Sequence, residues 1–201
     1  MYKPGIVLVG NGGHAIACLD VIERENKYKI TGLVAPFQST DSFLSQFPIL
    51  GSDEDIPELV FSNRFFLICV GQIKSPDLRI KLYEKVISAG GKLPTIVSPL
   101  AYVSSHASIG SGTIIMHGAV VNAGVVIGDN CIVNTGAIID HEVIVENHSH
   151  ISTGVILNGG VVIGVGSFVG SGTVIKQGVN VGAKAVIPMT SSIKHDLINS
   201  R

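Results

Sequence analysis

Val133-Asn-Thr-Gly-Ala-Ile-Ile139-Asp-His-Glu-Val-Ile-Val145-Glu-Asn-His-Ser-His-Ile151 carries an aliphatic residue at every sixth position. The step continues in both directions. Val97, Val103, Ile109, Ile115, Val121 and Ile127 precede it, and Leu157, Ile163, Val169, Ile175, Val181 and Ile187 follow, sixteen positions without a miss. Four residues after many of them stands something small: Ala101, Ala107, Thr113, Ala119, Cys131, Ala137, Ser149, Ser167, Thr173. Gly, Asn or Asp often fills the positions between. A fixed period of six is the signature of a parallel β-helix, in which the aliphatic side chain points inward from a short strand. Gly and Asn tolerate the left-handed backbone that the corners need. Three hexads make one triangular turn of eighteen residues, so the stretch supplies about five coils stacked roughly 4.8 Å apart.

The rest of the composition agrees with that scaffold. The chain has 201 residues, 46% of them hydrophobic and only 14% charged, with 24 Gly and no Trp. A net charge of −1 gives no electrostatic case for nucleic acid. Cys18, Cys69 and Cys131 form an odd, scattered set without metal-ligand spacing, for which a reducing cytoplasm is the simplest home. The first apolar run, Ile6 to Val9, is only a strand long and meets glycine at once, so neither a signal peptide nor a membrane span is expected.

Upstream of the repeats the pattern changes. Gly5-Ile-Val-Leu-Val-Gly10 reads as a buried strand, Gly10-Asn-Gly-Gly-His14 as a tight turn, and residues 15–25 as a helix. Residues 28–34 and 65–70 read as second and third strands, with a polar irregular segment, 35–50, and a short helix near 53–59 between them. A further helix over 78–89 ends at Gly90-Gly91. Strands alternating with helices predict a small, doubly wound, Rossmann-like parallel sheet. The expected division is residues 1–93 for this α/β domain, 94–190 for the β-helix and 191–201 for a C-terminal tail, the period stopping at Pro188.

Gly10-x-Gly12-x-x-Ala15 satisfies the loose dinucleotide fingerprint, strand before and helix after. Its amides and the helix N-terminus suit a phosphate. A nicotinamide site would want an acidic residue closing the second strand, where this chain has Val34-Ala35-Pro36, with Asp41 well beyond. The turn therefore reads as the seat of some other phosphorylated ligand, or as purely structural.

Within the repeats, His141 and Glu142 occupy corner positions where Gly is more usual, so core packing does not explain them. An imidazole beside a carboxylate can serve as a general base with its tautomer fixed; the alternative is a solvated surface histidine. Gly159 falls eighteen residues on, one coil above His141, and its amide can offer an oxyanion donor beside that base. His150 falls nine residues on, half a coil away, on another side of the prism. The two histidines can serve one ligand only across subunits, which predicts a symmetric, threefold oligomer. A zinc site would need three convergent histidines across such an interface. No metal is expected, and Cys131 reads as packed rather than reactive.

At this point the chain resembles the hexapeptide-repeat sugar acyltransferases of the sialic acid O-acetyltransferase type, which include N-acetyltransferases acting on nucleotide-linked 4-amino sugars. The resemblance covers nearly the whole chain. It rests on Gly10-Asn-Gly-Gly-His14-Ala15, Leu50-Gly51-Ser52, Pro94-Thr-Ile-Val-Ser-Pro99, Asn134-Thr-Gly-Ala-Ile-Ile-Asp-His141-Glu142 and His150-Ile-Ser152. It implies a left-handed parallel β-helix, a homotrimer and acetyl-coenzyme A as acyl donor. By that likeness His141 is the base, Glu142 its orienting partner and Asn134 a residue lining the pocket. His150 contacts the acyl group from the neighbouring chain, and the Gly159 amide binds the thioester oxygen. Lys176 and Lys184 meet the coenzyme phosphates, and Gly10, Asn11, Gly12, Gly13 and His14 hold the diphosphate of a nucleotide-activated sugar. The activity implied is N-acetylation of a nucleotide-linked amino sugar, a 4-amino-4,6-dideoxy sugar, for surface glycans. O-acetylation of sialic acid or a related sugar is the alternative, and a non-catalytic, nucleotide-sensing β-helix protein is the alternative of another class. Two features depart from the family: Ala35-Pro36-Phe37 replaces an acidic loop, and no Gly-x-Pro-Ala close follows Pro188.

Overall fold

The structure is a computed structural model that describes residues 3–36 and 43–198; Phe37 and Asp41 lie outside them. The N-terminal part opens with β1 (Gly5–Val9), α1 (Gly13–Glu25), β2 (Lys29–Val34) and β3 (Ile49–Gly51). A 3-10 turn at Asp53–Asp55 leads into α2 (Ile56–Ser62), β4 (Phe65–Ile68) and α3 (Asp77–Ser88). The sheet order is β3-β2-β1-β4, all parallel. Val7, Val9, Leu8 and Ile6 are fully buried because helices cover both faces, which is why β1 is apolar without alternation.

β3 differs from the sequence reading, in which 35–50 is irregular. Three residues are too few to show a strand period. They pair because Leu33 N–H donates to Pro48 and Ala35 N–H to Gly51, which makes Phe65–Ile68 the fourth strand rather than the third. The capping of the following turn is legible: the Ser52 hydroxyl accepts from Glu54 N–H while Asp55 accepts from Ser52 N–H.

From Ile96 onward the chain winds into a left-handed parallel β-helix. Two-residue strands recur every six residues and stack into three flat faces. The first face runs from Ile96–Val97 to Val186–Ile187, the second from Tyr102–Val103 to Ser192–Ile193, the third from Ser108–Ile109 to Asn180–Val181. Register is eighteen residues throughout, as in Ile138 against Ile156 and Ile132 against His150. Inward residues such as Val133, Ile139, Val145, Ile151 and Leu157 are fully buried in one continuous core. The repeat does not stop at Pro188: Ser192–Ile193 pairs with Val174–Ile175, so Ile193 is a seventeenth position in the series, within the segment expected as a tail. In the coils before it, the slot of Pro188 (Asn134, Ser152, Gly170) donates its amide to the following coil. Beyond the last full coil that donor is dispensable, so proline is tolerated there.

The α/β part covers the first face. Ile96, Ile114 and Ile132 point outward from the β-helix yet are fully buried against α1 residues Ala15, Cys18, Leu19 and Ile22. The second and third faces leave large apolar residues exposed, among them Tyr102, Ile138 and Val174 on one and Val126 and Ile144 on the other. Cys131 is packed in the β-helix, where burial pushes its thiol up to about 11. Among the described residues no helix is long and apolar enough to cross a membrane.

Candidate active site

The glycine turn sits where β1 stops and α1 starts. Gly10 has φ +116°, and a Cβ there would lie 2.9 Å from Val70 Cγ2, so backbone angle and space both demand glycine. Gly12 caps α1 without a side chain, leaving the first-turn amides facing a cavity of about 490 Å³. Gly10, Asn11, Gly12, Gly13 and His14 line it with Ala35, Pro36, Leu78 and Asp53. The absence of an acidic residue from the first turn of α1 keeps this positive helix end suited to an anion.

A second cavity of about 760 Å³ continues from the first, sharing Gly13, His14, Gly71 and Ile73 with it, and runs down to the first face of the β-helix. Its floor is Asn134, His150, Ser152 and Phe168. His150 stands on the strand His150–Ile151, only 6% exposed, with Phe168 edge-on at 5.2 Å and the His14 ring at 6.4 Å. Its Nδ1 lies 2.6 Å from the Gln72 carbonyl oxygen and its Nε2 3.3 Å from Asn134 Nδ2. Burial pulls this imidazole down to about 4, so it is neutral near pH 7.

His141, Glu142 and Gly159 lie elsewhere, on the edge between the second and third faces. Every sixth residue from Gly112 to Thr190 has a left-handed φ, and nine of these are Gly. Glu142 is one of the exceptions, with φ +58° in a column that otherwise reads Gly124, Gly160, Gly178. A side chain in that conformation costs about 1 kcal/mol or more, and here it brings Glu142 Oε2 to 3.4 Å from His141 Nδ1. The His141 amide donates to Asp140 Oδ1 at 2.8 Å, and Asn122 Nδ2 donates to the same oxygen at 3.0 Å. Those two bonds, the backbone one first, hold the Asp140 carboxyl below its usual range, so it stays an anion that fixes the corner. The imidazole lies directly across Gly159: a Cβ there would approach Nε2 to 2.5 Å. The side chains of His141 and Glu142 are 53% and 77% exposed, open to a ligand from outside the prism.

The expected residues thus fall into two groups within the chain. Gly10 to His14, Asn134 and His150 meet around the joined cavities; His141, Glu142 and Gly159 share a separate edge. Lys176 is on that second edge, one coil beyond Asn158, in a cavity of about 480 Å³ with Lys194 and His195. Lys184 is on a different edge, between the third and first faces, beside Gly166. Sequence reasoning missed Lys194, which the eighteen-residue step from Lys176 reaches. It also missed Gln72, whose part is played by a backbone carbonyl and leaves no trace in residue type.

Residues 5–86 match the PglD N-terminal domain and residues 106–141 the bacterial transferase hexapeptide (six repeats). A PglD-type domain on a hexapeptide β-helix defines the chain as an acyltransferase of that architecture. More narrowly, it is similar over nearly its full length to perosamine N-acetyltransferase from Caulobacter crescentus, whose structure contains CoA and GDP-perosamine. In that structure, of a histidine-to-asparagine variant, identity is 28%, 98% of this chain and 91% of that chain are covered, and the TM-score is 0.90. The acetyltransferase domain of PglB from Neisseria gonorrhoeae FA1090, in complex with acetyl coenzyme A, is 29% identical with 98% and 94% covered and a TM-score of 0.88. No curated protein matches the chain by sequence.

Two outcomes follow from this geometry. Glu142→Gly should raise stability by about 1 kcal/mol, because glycine relieves the left-handed backbone, while lowering acyl transfer; urea melts and turnover on the same preparation read both. Second, the unfolded chain binds a proton on His150 that the folded chain lacks between its ordinary 6.5 and about 4. The site's contribution is therefore complete above the upper value and falls as pH drops through the window, by about 3 kcal/mol in all. His150→Gln should flatten that part of the acid-side stability curve.

Proposed function

We propose that this protein transfers the acetyl group of acetyl-coenzyme A to the amine of a nucleotide-linked amino sugar, with His141 as general base. The observation that carries this reading is the His141 imidazole lying over Gly159, where a side chain would collide, with the Glu142 carboxylate at its other nitrogen. Glycine there leaves backbone open to a thioester carbonyl, and a base beside it meets an attacking nucleophile. His141 takes the proton of the amine as the new N–C bond forms, Glu142 steadies the imidazolium, and the Gly159 amide faces the oxyanion. The proton held on His141 then goes to the departing thiolate. The thioester supplies the activated acyl group; no metal or covalent enzyme intermediate is needed.

The joined cavities divide recognition from chemistry. The α1 N-terminus and glycine turn hold the nucleotide diphosphate, so residues 1–93 choose the sugar nucleotide and the β-helix carries the transfer. Ile73, Phe168, Val186 and Ile187 make the lower cavity mostly apolar, which favours a deoxy sugar with a methyl group, such as a 4-amino-4,6-dideoxy sugar. The complexes of the Caulobacter enzyme with GDP-perosamine and CoA support the same pair of substrates. The product would feed surface glycan synthesis, and a cytoplasmic location suits three buried free cysteines.

A homotrimer follows from the separation of the two groups of residues. The sugar descending from one chain's glycine turn meets that chain's His150, and needs a neighbour's His141 to react. Tyr102, Ile138, Val174, Val126 and Ile144 are the exposed apolar residues that such an assembly would cover. Sedimentation equilibrium should give a trimer; a stable monomer retaining full turnover would rule out the shared site.

Thiol release from acetyl-coenzyme A with a panel of nucleotide 4-amino sugars and sialic acids tests the activity. His141→Ala should lower kcat by about 10²–10⁴ with little change in KM. An unchanged rate refutes the base assignment, turnover confined to sialic acids favours O-acetylation, and none with any acceptor favours a nucleotide-binding module.

A further inference from the structure

The strands of the α/β sheet end level with one another. Val9 of β1 pairs with Val34 of β2 and Ile68 of β4, and Val34 pairs with Gly51 of β3. A ligand of an open parallel sheet lies across such carboxyl ends. The upper cavity does so, reaching from Asp53 past Ala35 and the glycine turn to Gly71. With a diphosphate at the glycine turn, the two ends of the bound molecule part in opposite directions. The β4 side, through Gly71 and Ile73, opens into the lower cavity and takes the sugar. The β2 side, with Val34, Ala35 and Asp53, belongs to the upper cavity alone, so the nucleoside runs that way. Its ribose then lies beside Ala35 and its base beside the end of β3, two strand spacings or roughly 10 Å from the turn.

What stands at that far end is Asp53. Three acids form the turn after β3, and two of them are engaged: Asp55 accepts from Ser52, and Glu54 pairs with Lys85 at 2.7 Å. Asp53 is half-buried along the cavity and, among the described residues, its side chain has neither hydrogen bond nor ion pair. A carboxylate only accepts, through two oxygens side by side. Guanine offers two adjacent donors on one edge, N1–H and N2–H, which match it as a bidentate, charge-assisted pair. Uracil and thymine carry one N–H between two carbonyls, so the second carboxylate oxygen meets another acceptor. Adenine sets its N6–H beside the bare lone pair of N1. We propose that Asp53 reads the base of the sugar nucleotide, its carboxylate taking the N1–H and N2–H hydrogens of guanine, so that the chain selects sugars linked to guanosine diphosphate. Val34, Pro36 and Leu78 give the apolar walls that a flat ring needs. The inference rests on the proposed function for the diphosphate at the glycine turn, and on Asp53 for the choice of base.

Titration calorimetry with free nucleoside diphosphates tests this without any acyl transfer. The unaltered protein should bind GDP about 10–100-fold more tightly than UDP or ADP, the discrimination of one bidentate base contact. Inosine diphosphate lacks only the N2 amino group and should bind about tenfold more weakly than GDP. Asp53→Asn should bring GDP down to the level of inosine diphosphate or below, and leave UDP within about twofold of its value with the unaltered protein. UDP binding as tightly as GDP overturns the inference. So does an Asp53→Asn loss shared equally by every diphosphate, which puts the carboxylate on the ribose instead. If Asp53→Asn does not fold, Asp53→Ser and the ratio of GDP to inosine diphosphate with the unaltered protein decide. Guanine-selective binding without acetyl transfer to any amino sugar keeps the base assignment and sinks the proposed function. Turnover confined to UDP-linked amino sugars does the reverse.

Discussion

Each turn of the β-helix must return the chain to the strand it left eighteen residues earlier, and a left-handed residue at every sixth position does this. Between those residues the backbone amides of one coil donate to carbonyls of the next, as His150 to Ser167 and Ile138 to Val155. The constraint is local and periodic, so faces, core and edges follow from one rule. Glycine meets it without strain, and the five non-glycine residues Asn130, Glu142, His148, Lys184 and Thr190 meet it at a cost. Glu142 gains a carboxylate contact with the imidazole beside it, and Asn130 gains a bond from its Nδ2 to His148 Nδ1 at 3.0 Å.

Docking of the α/β part onto the first face makes the rest of the site. Arg79 of α3, almost fully buried, donates to the carbonyls of Ile68 and Val70 in its own domain and of Asn130 in the β-helix. A buried guanidinium bound by carbonyls from both sides fixes their relative position, because losing any of them strands a charge. From the middle of α1, the Asp20 carboxylate meets His117, whose other nitrogen meets the Ser98 hydroxyl. The lower cavity is lined from both parts, by Gly13, His14 and Gln72 on one side and by Asn134, His150 and Phe168 on the other.

Much of the site's layout is legible in the amino-acid sequence. Counting in eighteens puts Gly159 over His141, because parallel in-register coils turn sequence distance into vertical distance. Counting nine sends His150 to a different face for the same reason. The glycine turn was legible from Gly10, whose position between strand and helix leaves room for nothing larger. What escaped the sequence was short or made by backbone. Ile49–Gly51 is too brief to show a period, and Pro188 resembles a terminus although one more strand, Ser192–Ile193, follows. Lys176 and Lys184 look equivalent as exposed cations, but eight residues falls short of the eighteen that return the chain to the same edge, so they stand on different edges.

The amino-acid sequence by itself therefore determined the β-helix, its register and the pairing of His141 with Glu142 and Gly159. All of these depend on contacts at fixed periods along one chain. The tertiary structure decided how the α/β part lies on the first face, and with it the protonation pattern of His150. That pattern is set by a carbonyl seventy-eight residues away in the other domain and by burial beneath it. No periodicity encodes such a contact, because it arises only where the α/β part meets the first face of the β-helix.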